Sequence, residues 1–183
     1  MQHELIINIM GLDNPQVLSK VTASISNNKC NILDSRHAKY GADFSLSMIV
    51  NGSQSNITAL EINCSKICVE LDLLCMMKRT TGHKQQNIEN YIRLAFSGHD
   101  TSGLMEQLTM ILHQQKVNVH ALRQKTRTIN KQSEVDCKMI LLAPTGFDRA
   151  CFDNTIKHFL NDLGLHGKIS HTNKEDNEYI ESW

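Results

Sequence analysis

Near the start of the chain Leu5, Ile7 and Ile9 alternate with other residues, and Ile92, Leu94 and Phe96 repeat that alternation 87 positions later. A period of two is that of a half-buried β-strand. The period then changes to helical spacing, with Val17, Leu18, Val21 and Ile25 matched at the same offset by Leu104, Met105, Leu108 and Leu112. These stripes predict helices from about Pro15 to Asn27 and from about Ser102 to Gln115. Asn31 to Lys39 reads as a second strand, turning at Tyr40-Gly41 into a third with Phe44, Leu46, Met48 and Val50 on one face. Val135, Cys137, Met139 and Leu141 match that face at an offset of 91, so the second hairpin is four residues longer, around Ile129 to Ser133. Asn51-Gly52 supplies the next turn. A second helix then carries Ile57, Leu60, Cys64 and Ile67 at helical spacing, answered by Phe152, Ile156, Phe159 and Leu163. Closing strands are expected over about Val69 to Lys78 and Gly167 to Asn173.

The match extends to polar residues. The stretch from Gly11 to Arg36 returns without a gap as Gly98 to Arg123, and Gly11, Asp13, Thr22, Lys29, Asn31 and Arg36 recur as Gly98, Asp100, Thr109, Lys116, Asn118 and Arg123. Identity of both type and period indicates a duplicated unit. Each half has the order β-α-β-β-α-β, the split βαβ or ferredoxin-like arrangement: an α+β fold with an antiparallel sheet and both helices on one face. The expected organisation is a first domain at 1–81, a polar linker at 82–87, a second domain at 88–173 and an acidic tail at 174–183.

Composition narrows the function. Nineteen basic and nineteen acidic side chains give no formal net charge. A nucleic-acid binder usually carries a basic surplus, because phosphate neutralisation supplies most of its affinity. Direct DNA binding is therefore disfavoured, and Arg123, Lys125, Arg127 and Lys131 read as the solvated face of a strand. With aromatics at 5%, base stacking on the sheet, as in RNA-binding modules, is weakly supported. No apolar run reaches the about 18 residues of a membrane span. Met1 to Glu4 lead straight into a strand without the basic start and apolar core of an export signal. The six cysteines are then expected to be reduced and mostly buried, despite glycosylation-type tripeptides at Asn51, Asn56 and Asn63. Cys64 and Cys68 share a helix face, yet two thiols alone make a poor zinc site, so no metal is expected.

No catalytic signature is found: there is no nucleophile elbow, phosphate-binding loop or H-E-x-x-H pair, and no enzyme is expected. Asp34, Ser35 and His37 lie on one extended strand, where neighbours point to opposite faces. His166 and His171, of opposite strand parity, read as surface residues. The loop between first strand and first helix is the better candidate. Backbone N–H groups at the positive end of a helix suit a carboxylate. A short polar side chain there, with an amide at the start of the second strand, suits the two charged groups of an amino acid. Asp13 with Asn31 and Asp100 with Asn118 keep this pair eighteen residues apart in both halves.

Asp13-Asn14-Pro15 before a helix, then Cys30-Asn31-Ile32 opening a strand, resembles the ACT domain, a small regulatory module that often binds amino acids. The segments CNILDSRHAKYGADFSLSMIVNGS (30–53) and ELDLLCMMKRTT (70–81), with the tandem layout and total length, resemble the glycine cleavage system transcriptional repressor family of proteobacteria. That resemblance implies a cytoplasmic regulator without its own DNA-binding domain. It would bind the LysR-type activator of the glycine cleavage operon, with glycine or another small amino acid as effector and no other cofactor. The alternative is an amino-acid-sensing regulatory subunit of a metabolic enzyme. Ferredoxin-like sheets have edges that often pair, which allows the halves to associate side by side or across a homodimer. ACT ligand loops usually carry Gly after the Pro; here Gln16 takes that place, whereas the second copy keeps Gly103 and has Ser102 in place of the Pro. The ligand-binding candidates are thus Asp100, Thr101, Ser102, Gly103 and Asn118 first, then Asp13, Asn14, Pro15, Gln16 and Asn31.

Overall fold

A computed structural model describes residues 2–80, 91–129 and 131–172. The expected linker (82–87) and tail (174–183) lie outside the described residues. The chain divides into two compact units, Met1–Gln85 and Gln86–Trp183.

The first unit runs β1 (His3–Leu12), α1 (Gln16–Asn27), β2 (Asn31–Tyr40), β3 (Asp43–Gly52), α2 (Gln54–Glu70) and β4 (Leu74–Thr80). The second repeats this as β5 (Tyr91–His99), α3 (Leu104–Gln114), β6 (Asn118–Ile129), β7 (Gln132–Leu142), α4 (Arg149–Asp162) and β8 (His166–Thr172). The sheets have orders β2-β3-β1-β4 and β6-β7-β5-β8, with every pairing antiparallel. This is the ferredoxin-like arrangement.

Alternation decides which face is buried. Leu5, Ile7 and Ile9 are fully buried with Phe44, Leu46, Met48 and Val50 beneath Val17, Val21, Ile25, Ile57, Leu60, Cys64 and Cys68. The second core repeats the plan with Ile92, Leu94 and Phe96 on β5 and Leu104, Leu108 and Leu112 on α3. Leu18, counted in the apolar stripe, is instead about half exposed. The four extra residues of the second hairpin add two rungs, Thr128↔Ser133 and Ile129↔Gln132, beyond the Arg127↔Glu134 pair that corresponds to Tyr40↔Asp43. Both copies keep a bulge near the start of the second strand, at Ile32/Asp34 and Val119/Ala121.

Two boundaries and the placement of one histidine differ from the sequence pattern. Val69 and Glu70 finish α2 instead of opening β4, because the helix continues to a turn at Asp72, in the left-handed region with φ 55°, where the Leu73 N–H donates to the Cys68 carbonyl. Asn51 and Gly52 pair with Glu4 and His3 as the end of β3, and the turn into α2 falls to Ser53, whose side chain accepts from the Asn56 N–H. His171 is on the helix-covered face, pairing with Ile92, and its Nε2 lies 2.9 Å from Asp153 Oδ1. It is part-buried, not a surface residue.

The recurring residues of the duplicated stretch have structural work. A Cβ on Gly11 would lie 2.5 Å from Leu73 Cδ2, and one on Gly98 2.9 Å from Leu165 Cδ2, so both glycines admit the leucine before the last strand. Thr22 and Thr109 donate back to the carbonyls of Leu18 and Met105, each at 2.8 Å. Lys29 and Lys116 end α1 and α3 in the left-handed region, with φ 54° and 56°.

Candidate functional site

The loop from β1 to α1 is tied to the adjacent hairpin. The Asp13 N–H donates to the Ala42 carbonyl at 2.9 Å, and its carboxylate meets Lys39 Nζ on β2 at 2.5 Å. The second loop repeats this plan: the Asp100 N–H donates to the Ser133 carbonyl at 2.8 Å. Thr126, 87 positions after Lys39, takes the lysine's place and donates from Oγ1 to Asp100 Oδ2 at 3.2 Å. The first aspartate therefore faces a cation and the second a neutral hydroxyl. Composition of the repeat at that offset carried this signal, but neither Lys39 nor Thr126 stands out in the sequence alone.

The helix starts differ as well. In the first copy Asn14 Oδ1 accepts from the Gln16 N–H at 2.9 Å and the Asn14 carbonyl accepts from Val17 at 3.0 Å. Pro15 is already helical, with φ −55° and ψ −23°, so α1 begins without a break. Its first-turn donors are thus turned toward Asn14. In the second copy Gly103 is left-handed, φ 83° and ψ 0°, and makes no side-chain cap on α3. Only glycine enters this region without steric cost. The space a Cβ would take at Gly103 has its nearest neighbours at 3.9 Å (Gln107 Nε2) and 4.0 Å (Glu106 Oε2). Thr101 and Gly103 are half-buried and Ser102 is exposed; the Thr101 carbonyl accepts from Leu104 at 3.2 Å. The space beside Gly103 is open to a small ligand, with Glu106 as an acidic neighbour at the helix start.

Within a single domain the paired residues do not converge. Asn31 stands opposite Asn51, which stands opposite Glu4, whereas Asp13 follows Leu12 at the other end of β1. Eight residues of strand separate these levels, roughly 26 Å. Asn118 and Asp100 are divided in the same way, since Asn118 pairs with Leu142 and Leu142 with Tyr91. The cause is the helix, which carries the chain back along the sheet before the next strand begins. Spacing of eighteen residues therefore places one member at each end of the sheet, and one domain alone does not build the expected pocket. Asn31 and Asn118 are both exposed there. A shallow concavity of about 330 Å³ on the second sheet is lined by Ser97, Asp136, Lys138, His166 and Lys168, and by none of the loop residues.

No helix among the described residues is long and apolar enough to cross a membrane. Residues 3–78 match the ACT domain family. The glycine cleavage system transcriptional repressor of Escherichia coli (strain K12) is 28% identical over 174 residues, covering 94% of this chain and 92% of the relative. A solved structure bearing that name provisionally superposes with a TM-score of 0.74 at 26% identity, over 95% of this chain and 99% of the other. A protein of unknown function from Galdieria sulphuraria superposes with the same TM-score at 16% identity, over 94% and 99% of the two chains, a likeness of fold alone. The first unit matches the ACT domain family, the second repeats its fold, and the chain is similar along its length to the glycine cleavage system transcriptional repressors.

Proposed function

We propose that this chain is a non-enzymatic transcriptional regulator that works in the cytoplasm through protein contact and senses a small amino acid, glycine first. The observation that carries the reading is the similarity to named repressors over 94% of the chain. It is supported by the retention, in the second copy, of an open left-handed Gly103 beside an aspartate that meets the Thr126 hydroxyl where Asp13 meets the Lys39 cation. There the ligand carboxylate would meet the N–H groups of Thr101, Ser102 and Gly103, and its ammonium would meet Asp100. Asn118, at the far end of the same sheet, would reach a ligand only from another molecule, which ties sensing to a homodimer. The target is a LysR-type activator of the glycine cleavage operon, and the bound amino acid relieves repression. The balanced charge suits a protein partner better than DNA.

Calorimetry with glycine, serine and alanine tests the sensor. Heat at millimolar glycine, lost in Asp100→Ala, supports it; no heat with any of the three overturns it. Co-purification with the activator, with release by glycine, tests the mechanism. A shift of operator DNA by this protein alone, steeply salt-dependent, would replace contact with direct DNA binding. Capture of a metabolic enzyme in place of the activator would favour the regulatory-subunit alternative.

A further inference from the structure

The first domain contains a cluster that the sensor reading does not use. Cys64 and Cys68 lie one turn apart on the sheet-facing side of α2 and are buried. Cys75 on β4 pairs with Ile9, a core-facing position, and so points to the same place. All three Sγ atoms lie within 4.8 Å of one another. The third thiol was concealed in the sequence because its face depends on where β4 starts.

The second domain provides an internal control. Counted from the matching turns at Asp72 and Gly164, the corresponding positions are Ile156, Leu160 and Gly167. Gly167 pairs with Phe96 as Cys75 pairs with Ile9. Two aliphatic side chains and a glycine, whose space Leu160 takes up, thus fill this place in the same fold, and packing alone does not call for sulfur. Three cysteines within twelve residues here have a reason other than volume.

We propose that Cys64, Cys68 and Cys75 form a three-thiolate site for a zinc ion, with the fourth position left to an external donor on the half-buried Cys75 side. Thiolates select soft cations such as Zn²⁺ and Cu⁺. Zinc with Zn–S bonds of about 2.3 Å holds its sulfurs about 3.8 Å apart, so the cluster closes by less than about 1 Å per pair. Charge decides between the two ions: three thiolates leave one negative charge with Zn²⁺ and two with Cu⁺, and a largely apolar surrounding penalises the larger charge. Each thiol gives up its proton to bind as a thiolate, so metal uptake releases protons and tightens as pH rises.

The test uses the full reduced chain, stripped of metal, with Co²⁺ as an optical probe. One Co²⁺ per chain with intense sulfur-to-cobalt absorption, displaced by Zn²⁺, is expected. Titration in buffers of different ionisation heat should show protons released as zinc binds. Cys75→Ser should weaken zinc binding at least about tenfold, since one of three sulfur ligands is lost. The triple substitution Cys64→Ile, Cys68→Leu, Cys75→Gly, which copies the sister domain, should abolish it while circular dichroism stays native-like. Absence of both Co²⁺ and Zn²⁺ binding overturns the site. Binding that survives the triple substitution in a folded chain overturns the assignment to these residues. Tight Cu⁺ binding that Zn²⁺ cannot match overturns the choice of metal.

Discussion

Glu61 and Arg79 in the first domain stand where Asp153 and His171 stand in the second, each pair joining the second helix to the last strand. Lys39 and Thr126 hold equivalent loop aspartates, and Cys64, Cys68 and Cys75 answer to Ile156, Leu160 and Gly167. Duplication has kept the positions at which elements are pinned and changed the chemistry of the pins. The lesson is that matched positions in a repeat report the scaffold, and mismatched chemistry at matched positions reports specialisation. The two proposals above follow that division, with the ligand loop in the second copy and the metal site in the core of the first.

The comparison is broken most severely in the cores, which each domain builds from its own residues. Phe152 is fully buried and stands at the place of Leu60. Phe152→Ala should cost about 3–5 kcal/mol and Leu60→Ala about 2–5 kcal/mol. Denaturant unfolding gives the totals, and amide exchange should lose most protection in 91–172 for the first variant and in 3–80 for the second. Equal loss in both segments from either variant would contradict two separate cores.

Next in size is the loop. Gly103→Ala forces a Cβ into the left-handed region, at a cost of about 1 kcal/mol, and should also remove glycine binding. The opposite experiment sharpens the contrast. Lys39→Thr with Gln16→Gly removes the cation from Asp13 and the side chain from the helix start, which gives the first loop the second loop's chemistry. Its stability should change by less than about 1 kcal/mol for the exposed ion pair and about 1 kcal/mol for glycine at the helix start. Calorimetry should then show a second glycine site. A stoichiometry unchanged from the parent would mean that Gly103 and Asp100 do not decide which loop binds.

The strands were legible because one buried face leaves a period of two: Leu5, Ile7, Ile9 and Ile92, Leu94, Phe96 are all buried as that period requires. The duplication was legible from identities such as Gly11/Gly98 and Lys29/Lys116, although their meaning is close packing and left-handed caps. Ends of elements were less so. Val69 looks like a strand opener by its branched side chain, yet the helix geometry holds until Asp72. Asn51-Gly52 looks like a turn, yet β1 pairs with both residues. The loop aspartate and strand asparagine keep a constant spacing in sequence, but spacing carries no direction, and the returning helix separates them. Cys75 joined its partners only through β4's register with Ile9.

The smallest effect tests the pins between helix and last strand. Arg79 Nε and Nη2 donate to the two Glu61 oxygens at 2.9 and 2.7 Å, and Nη2 also reaches Thr58 Oγ1 at 2.8 Å. The hydrogen bond from Arg79 is the main reason the Glu61 carboxyl titrates below its ordinary value, with burial opposing and the Arg79 charge assisting. A carboxyl depressed in the folded state contributes stability that is present above its unfolded value of about 4.3 and is lost as pH falls through the folded value. The pair is exposed, so Glu61→Gln should lower the first domain's Tm by only about 1–2 °C at pH 7. That gap should close as pH drops below about 4, because the parent then loses what the variant never had. In the second domain the corresponding contact joins His171 Nε2 to Asp153 Oδ1 at 2.9 Å. A Glu61→Gln gap that stays the same from pH 7 down to about pH 3 would mean that the Arg79 contact does not hold the helix to the sheet through an ionised carboxylate.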